Sequence, residues 1–234
     1  MIILNSIFTL ALIYLVVVLV IFFSQRKLMY HPYENNYLEE NQLNHNIEKV
    51  YIQSDFKILG WHHFKNKKFK TLLFFHGNAG NLQNRIYKLN DISKLDINYL
   101  IIAYRGFSGN EGEPNEKGLY KDSESAKKWL NDYGVFDKDI ILYGESLGTA
   151  VAIDLASKHK FAGIILESPF TSMVKLSKIY YPYLPVKVLL KDRYESINKI
   201  NNIDFPKMVM HGDKDKIVPF SMGKEIFENL SEPK

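Results

Sequence analysis

YGESLGTA, residues 143–150, sets a serine between two glycines at the end of an apolar run. A bare G-x-S-x-G is weak, since chance places one in roughly one chain in twelve of this length. Its flanks make it informative. DIILYG (residues 139–144) has the continuous apolar pattern of a buried strand, and LGTAVAIDLASKH (residues 147–159) that of a helix. Strand, sharp turn and helix make the elbow that exposes a nucleophilic serine, with glycines where strand and helix approach and an N–H after the serine facing a developing oxyanion. Ser146 as the N-cap of an ordinary helix accounts for the serine but not for Gly144 and Gly148. Ser146 is read as a nucleophile and the Leu147 N–H as one oxyanion donor.

Outward from this elbow, strand-like and helix-like runs alternate. KVYIQS (49–54) and KILGWHHF (57–64) read as an opening strand pair. TLLFFHG (71–77), NYLIIAYRG (98–106), and residues 139–144, 161–166 and 207–211 read as buried strands. Residues 81–95, 116–133, 147–159 and 220–230 have helical spacing. This alternation predicts an α/β fold with a mostly parallel sheet and helices on both faces. Residues 170–206, with YYPYLPVKVLL at their centre, are too long for an ordinary connection; they read either as a short lid over a site or as a surface excursion.

Two more motifs fall where the elbow needs partners. HGNAGN (76–81) follows the TLLFF strand, and its Asn78 N–H is the expected second oxyanion donor. HGDKDKIVP (211–219) follows the last strand run, where an acid belongs in chain order. Asp215 is the better acid, Asp213 sits nearer the turn as a turn or capping residue, and Glu167 in ESPF is the reserve.

Composition bounds the rest. The 234 residues are 46% hydrophobic and 14% aromatic, enough for one sizeable packed domain, which excludes the disordered and low-complexity classes. A net charge of +4 from 30 basic and 26 acidic side chains, with scattered lysines, gives nucleic-acid binding no support. With no cysteine there is no disulfide framework and no thiolate metal site. The first 25 residues carry no charge and are apolar over about 23 positions, where about 20 cross a bilayer core. Residues 1–24 are therefore expected to form an uncleaved single-pass anchor, because no basic leader and no small-residue cleavage site precede QRKLMY. Arg26 and Lys27 directly after it favour a cytoplasmic side for the C-terminal domain. The Asn-rich HPYENNYLEENQLNHN (31–46) reads as a tether, giving a linker over 25–46 and a folded domain over 47–234.

QRKLMYHP, FFHGNAGN, AYRGFSGNEGEPNEKGLYKDSESAKKWL, YGESLGTAVAIDLAS, ESPFTSM and HGDKDKIVP together resemble the α/β-hydrolases of the Bem-type branch, related to serine aminopeptidase-like and depalmitoylase-like hydrolases, from residue 25 onward. The resemblance implies the α/β-hydrolase fold, with Ser146 as nucleophile, Asp215 as acid and the Asn78 and Leu147 N–H groups as oxyanion hole. It implies hydrolysis of an ester, thioester or amide in a small-molecule or acyl substrate, with no metal and no cofactor, since side chains and water suffice. In this family pattern a histidine base follows the acid after one more strand. The seven histidines, His31, His45, His62, His63, His76, His159 and His211, all precede Asp215, and His76 and His211 are expected to pack beneath loops. Against the pattern, the last strand and helix are missing at Lys234, which would leave the seventh strand as an apolar edge. Losing the base costs on the order of 10⁶ in turnover. Such a chain is expected to be impaired unless a complementing C-terminal fragment supplies the base; the alternative is a catalytically inactive, membrane-tethered hydrolase-fold protein.

Overall fold

The computed structural model describes residues 2–33 and 42–234. Helix α1 (Ile2–Met29) has no polar face along its apolar stretch, which is unburied and touches the domain at a few points such as the Tyr14 hydroxyl on the Tyr183 carbonyl, 2.8 Å. It is long and apolar enough to cross a membrane.

The expected linker is corrected where it begins. The helix runs past residue 24 to Met29, and Gln25, Met29 and Tyr30 are buried against the domain. Arg26 makes a two-point ion pair with Asp192, at 2.8 and 3.2 Å. Strand β1 (His31–Pro32) pairs in parallel with Ala79 and Gly80. Apolar Leu28, Met29 and Tyr30 interrupt the polar composition that suggested a tether, and the domain buries two of them. Residues 34–41 of the expected linker lie outside the described residues. At its far end Asn44 and His45 already bond to Asn90 and Tyr99 of the domain.

The domain continues with β2 (Glu48–Gln53), β3 (Lys57–His63), β4 (Thr71–Phe75), β5 (Ala79–Gly80), α2 (Ile86–Ile92), β6 (Asn98–Ile102), α3 (Glu116–Asp132), β7 (Ile140–Glu145), α4 (Leu147–Ala156) and β8 (Gly163–Glu167). After these come α5 (Met173–Tyr180), α6 (Val186–Leu189), β9 (Lys207–Met210) and α7 (Phe220–Asn229). Seven strands form one sheet in the order β2-β3-β6-β4-β7-β8-β9. β2 and β3 are antiparallel to their neighbours, and β6, β4, β7, β8 and β9 run parallel. Parallel strands are covered on both sides, which is why β4 and β6 are unbroken runs of five buried residues.

The pleat assigns the helices to faces. Gly144 of β7 turns toward α4, whose Gly148 and Thr149 lie against it. Its neighbour Tyr143 turns the other way and sits beneath the Lys88 ammonium of α2, 5.4 Å from the ring centre. α4 and α2 thus lie on opposite faces, and α3 packs beside α4.

The YRGFSGNEG stretch proves to be a brace. Asn110 donates to the Ala103 and Tyr104 carbonyls and accepts from the Leu59 N–H, tying β3 to the end of β6. Arg105 is clamped on fully buried Asp122 of α3, at 2.7 Å from Nη2, with its backbone N–H on the same carboxylate at 2.9 Å. Removing Asp122 leaves buried Arg105 with the part-exposed Asp55 at 3.1 Å as its remaining charge partner, so Asp122→Ala should lower unfolding free energy by about 3 kcal/mol, the low end for a broken buried pair, read from urea denaturation in detergent.

Candidate active site

β7 ends at Glu145 and α4 starts at Leu147, leaving one residue for the turn. Ser146 adopts φ 50° and ψ −113°, a strained conformation for a residue with a side chain. Its N–H donates to the Glu167 carbonyl at 2.8 Å, and its carbonyl accepts the Thr149 N–H at 2.9 Å. A Cβ on Gly148 would stand 1.9 Å from the Phe75 carbonyl oxygen, and one on Gly144 would stand 2.5 Å from the Gly148 oxygen. Both positions therefore require glycine. The Leu147 N–H belongs to the first turn of α4, where N–H groups have no intrahelical acceptor.

The HGNAGN loop leaves β4 beside this elbow. His76 is fully buried under it, with Nδ1 2.7 Å from the Gly77 carbonyl and its ring against Tyr104 and Phe107. Burial, helped by the nearby Arg85 charge, pulls its pKa down to about 3, so it stays neutral and packs as expected. Asn78, Ser146 and Leu147 all line one cavity of about 260 Å³. The other walls are mostly apolar, with Ile21, Leu28 and Met29 from α1, Phe170 and Leu176 from the segment after β8, and Val218, beside the polar Gln25 and Ser177. The segment between β8 and β9 is thus a lid, with α5 and α6 over the serine.

Asp215 lies in the turn after β9. Its Oδ1 accepts the Ile217 and Val218 N–H groups at 2.8 and 2.9 Å. Burial alone would raise its pKa, but these two N–H groups, the Ser168 hydroxyl and the nearby His211 outweigh it and hold the carboxyl below its ordinary value. Asp215 itself is not a cavity wall; Ile217 and Val218, which it fixes, are. Asp213 is exposed. The reserve acid Glu167 is engaged elsewhere, by Lys88 at 2.6 Å and by the Tyr143 hydroxyl. His211 Nε2 bonds the Val218 carbonyl at 2.8 Å, and the ring packs on Phe220, beneath the loop as expected. Among the described residues no histidine lines the cavity and no side chain hydrogen-bonds the Ser146 hydroxyl. Nor is there any group of three or more histidine, aspartate or glutamate side chains placed to hold a metal ion.

The model of the prolyl oligopeptidase family matches residues 89–234, from α2 through the elbow to Lys234. The chain belongs to this family of α/β-hydrolases. An uncharacterized protein of Mycobacterium tuberculosis is 34% identical over 223 residues, covering 93% of this chain and 79% of the relative. Human alpha/beta hydrolase domain-containing protein 17B is 36% identical over 167 residues, covering 70% of this chain and 56% of that protein. Among solved structures, an esterase of Pyrococcus furiosus superposes with a TM-score of 0.66 at 22% identity, covering 86% of this chain and 83% of that one. An alpha-beta hydrolase of Vibrio vulnificus gives 0.67 at 22% identity, over 80% and 70% of the two chains. The hydrolase resemblance read from the sequence is borne out, as is the fold.

Within this hydrolase fold, motif reading missed the charges behind the elbow. Glu145 is held by Arg85 at 2.7 Å and Lys88 at 3.0 Å, and Arg85 also donates to the Ala79 carbonyl at 2.9 Å. One guanidinium thus ties the HGNAGN loop to the residue before Ser146. Burial would raise the Glu145 pKa, but the two cations overcome it and keep the carboxyl below its ordinary value. The spacing of Arg85 and Lys88, one helical turn apart, was the only signal in the sequence. The wall supplied by α1 was missed as well.

Gly148→Ala should push α4 off β4 and cost at least about 1–3 kcal/mol, visible as a lowered melting temperature. His76 gives a pH signature. Its folded pKa of about 3 lies below the ordinary value of 6.5, so between these values the unfolded chain takes a proton that the folded chain refuses. Its contribution is complete above 6.5 and declines as pH falls, by up to about 1.4 kcal/mol per unit. The urea midpoint should drop from pH 7 to pH 5, and His76→Asn should flatten that drop.

Proposed function

We propose that this protein is a serine hydrolase anchored in a membrane by α1, its domain on the cytoplasmic side, cleaving an acyl ester, thioester or amide through an acyl-enzyme on Ser146. What carries the reading is the apolar cavity that runs between lid and α1 and ends at Ser146, Asn78 and Leu147. The Ser146 oxygen attacks the substrate carbonyl, its proton passes to a base, and the Asn78 and Leu147 N–H groups receive the oxyanion. The alcohol, thiol or amine leaves with that proton, and water then releases the acid from Ser146. Asp215 is the group to orient the base, a histidine in the pattern this family follows. The acyl part fits the cavity and the leaving group the solvent side. Arg26 and Lys27 at the end of α1 support the cytoplasmic side.

In membranes, a fluorophosphonate probe should label the wild-type chain and leave Ser146→Ala unlabelled. With p-nitrophenyl esters, kcat/KM should climb as the acyl chain lengthens, by about fourfold for each methylene worth about 0.8 kcal/mol, until the cavity is full. A flat or falling series would count against an acyl substrate. One observation favours a second reading, a hydrolase-fold protein without catalysis: the Ser146 hydroxyl has no hydrogen-bonding side chain among the described residues. A folded chain that never takes the probe establishes that reading instead.

A further inference from the structure

The end of α1 is bolted to the domain at several points. The Gln25 amide donates to the Leu189 carbonyl at 3.1 Å and accepts the Lys191 N–H at 2.8 Å. Arg26 closes on Asp192, and the buried Tyr30 hydroxyl meets the Tyr194 hydroxyl at 2.7 Å. These contacts fix where the chain leaves the helix. From there it turns straight onto the oxyanion loop.

Four successive carbonyls of that loop each accept one hydrogen bond. Gly77 takes it from the His76 ring at 2.7 Å and Ala79 from the Arg85 guanidinium at 2.9 Å. Asn78 takes it from the His31 N–H at 2.9 Å and Gly80 from the Tyr33 N–H at 3.1 Å. The Asn78 side chain in turn donates to the Met29 carbonyl at 2.8 Å, in the last turn of α1, where carbonyls lack intrahelical donors. The peptide that carries the Asn78 N–H is pinned on one side by His76. On the other side, the next peptide is pinned by His31, the second residue after the end of α1.

We propose that residues 29–33 are a positioning element of the active site: they set the oxyanion loop, which keeps its working shape only while the end of α1 is docked. Only the catalytic consequence rests on the hydrolase reading. On this view the anchor is a structural part of the site, and separating α1 from the domain spoils the loop before it unfolds anything else.

The test uses the full chain in lipid nanodiscs. His31→Pro removes the N–H that reaches the Asn78 carbonyl while leaving Asn78 and the cavity walls intact; His31→Ala keeps that N–H. Hydrogen exchange of residues 77–82 should be at least about tenfold faster in His31→Pro, with β4 and β7 unchanged, and His31→Ala should restore wild-type exchange. With p-nitrophenyl butyrate, kcat should fall about 10²–10³-fold in His31→Pro, as for loss of one oxyanion donor, with KM within about twofold. Equal exchange in His31→Pro and wild type would overturn the proposal, and so would an unchanged kcat. If wild type shows no turnover, the hydrolase reading falls and exchange alone decides. If His31→Pro melts out, Asn78→Ala, which cuts the bond to Met29 and keeps the Asn78 N–H, takes its place with the same expected exchange, KM being left free because Asn78 also lines the cavity.

Discussion

The contact of Gly148 with the Phe75 carbonyl sets the rest of the site. α4 begins against the end of β4 with no room for a Cβ, so the turn between β7 and α4 is compressed to Ser146 alone. The parallel register places Phe75 opposite Gly144, which brings the loop leaving β4 level with the serine. Two segments more than sixty residues apart in sequence are thus delivered to one point by strand pairing, and strain at Ser146 is held by the Glu167 carbonyl and the first turn of α4.

Behind this point lies a set of charges that adds order more than stability. Arg85, Lys88, Glu145 and Glu167 are largely removed from water. Burying ions costs several kcal/mol each, and good pairing does little more than offset it. What such a cluster supplies is direction. Arg85 reaches both the Ala79 carbonyl and Glu145, so neither the loop nor the elbow can shift without breaking a bond to a charged group.

Most of the fold was legible because its signals are local. Runs such as LLFF and YLII are too apolar to face water on either side, and α3 opens at Asn115, whose side chain caps the Gly118 N–H. Ser146, Gly144 and Gly148 were legible because a tight turn leaves a residue-type signature. The docking of residues 25–33 was not, since β1 is two residues long, one of them proline, and draws its order from a loop far along the chain. Polar composition pointed to a tether, and only LMY in QRKLMYHP hinted otherwise. The Arg85 and Lys88 cluster was hidden for a similar reason: charged residues on a short helix look solvated until the sheet beneath them is known.

The shared wall of the cavity has a consequence for how such a protein would meet its substrate. Ile21, Leu28 and Met29 line the same cavity as Ser146, so on the proposed reading, with α1 in a bilayer, the site shares a largely apolar wall with the membrane helix. An acyl chain moving along it need not be hydrated on the way, which spares about 0.8 kcal/mol for each methylene. Encounter then becomes a two-dimensional search. Turnover would follow the mole fraction of substrate among the lipids, and diluting the substrate with inert lipid would slow it even at constant bulk concentration.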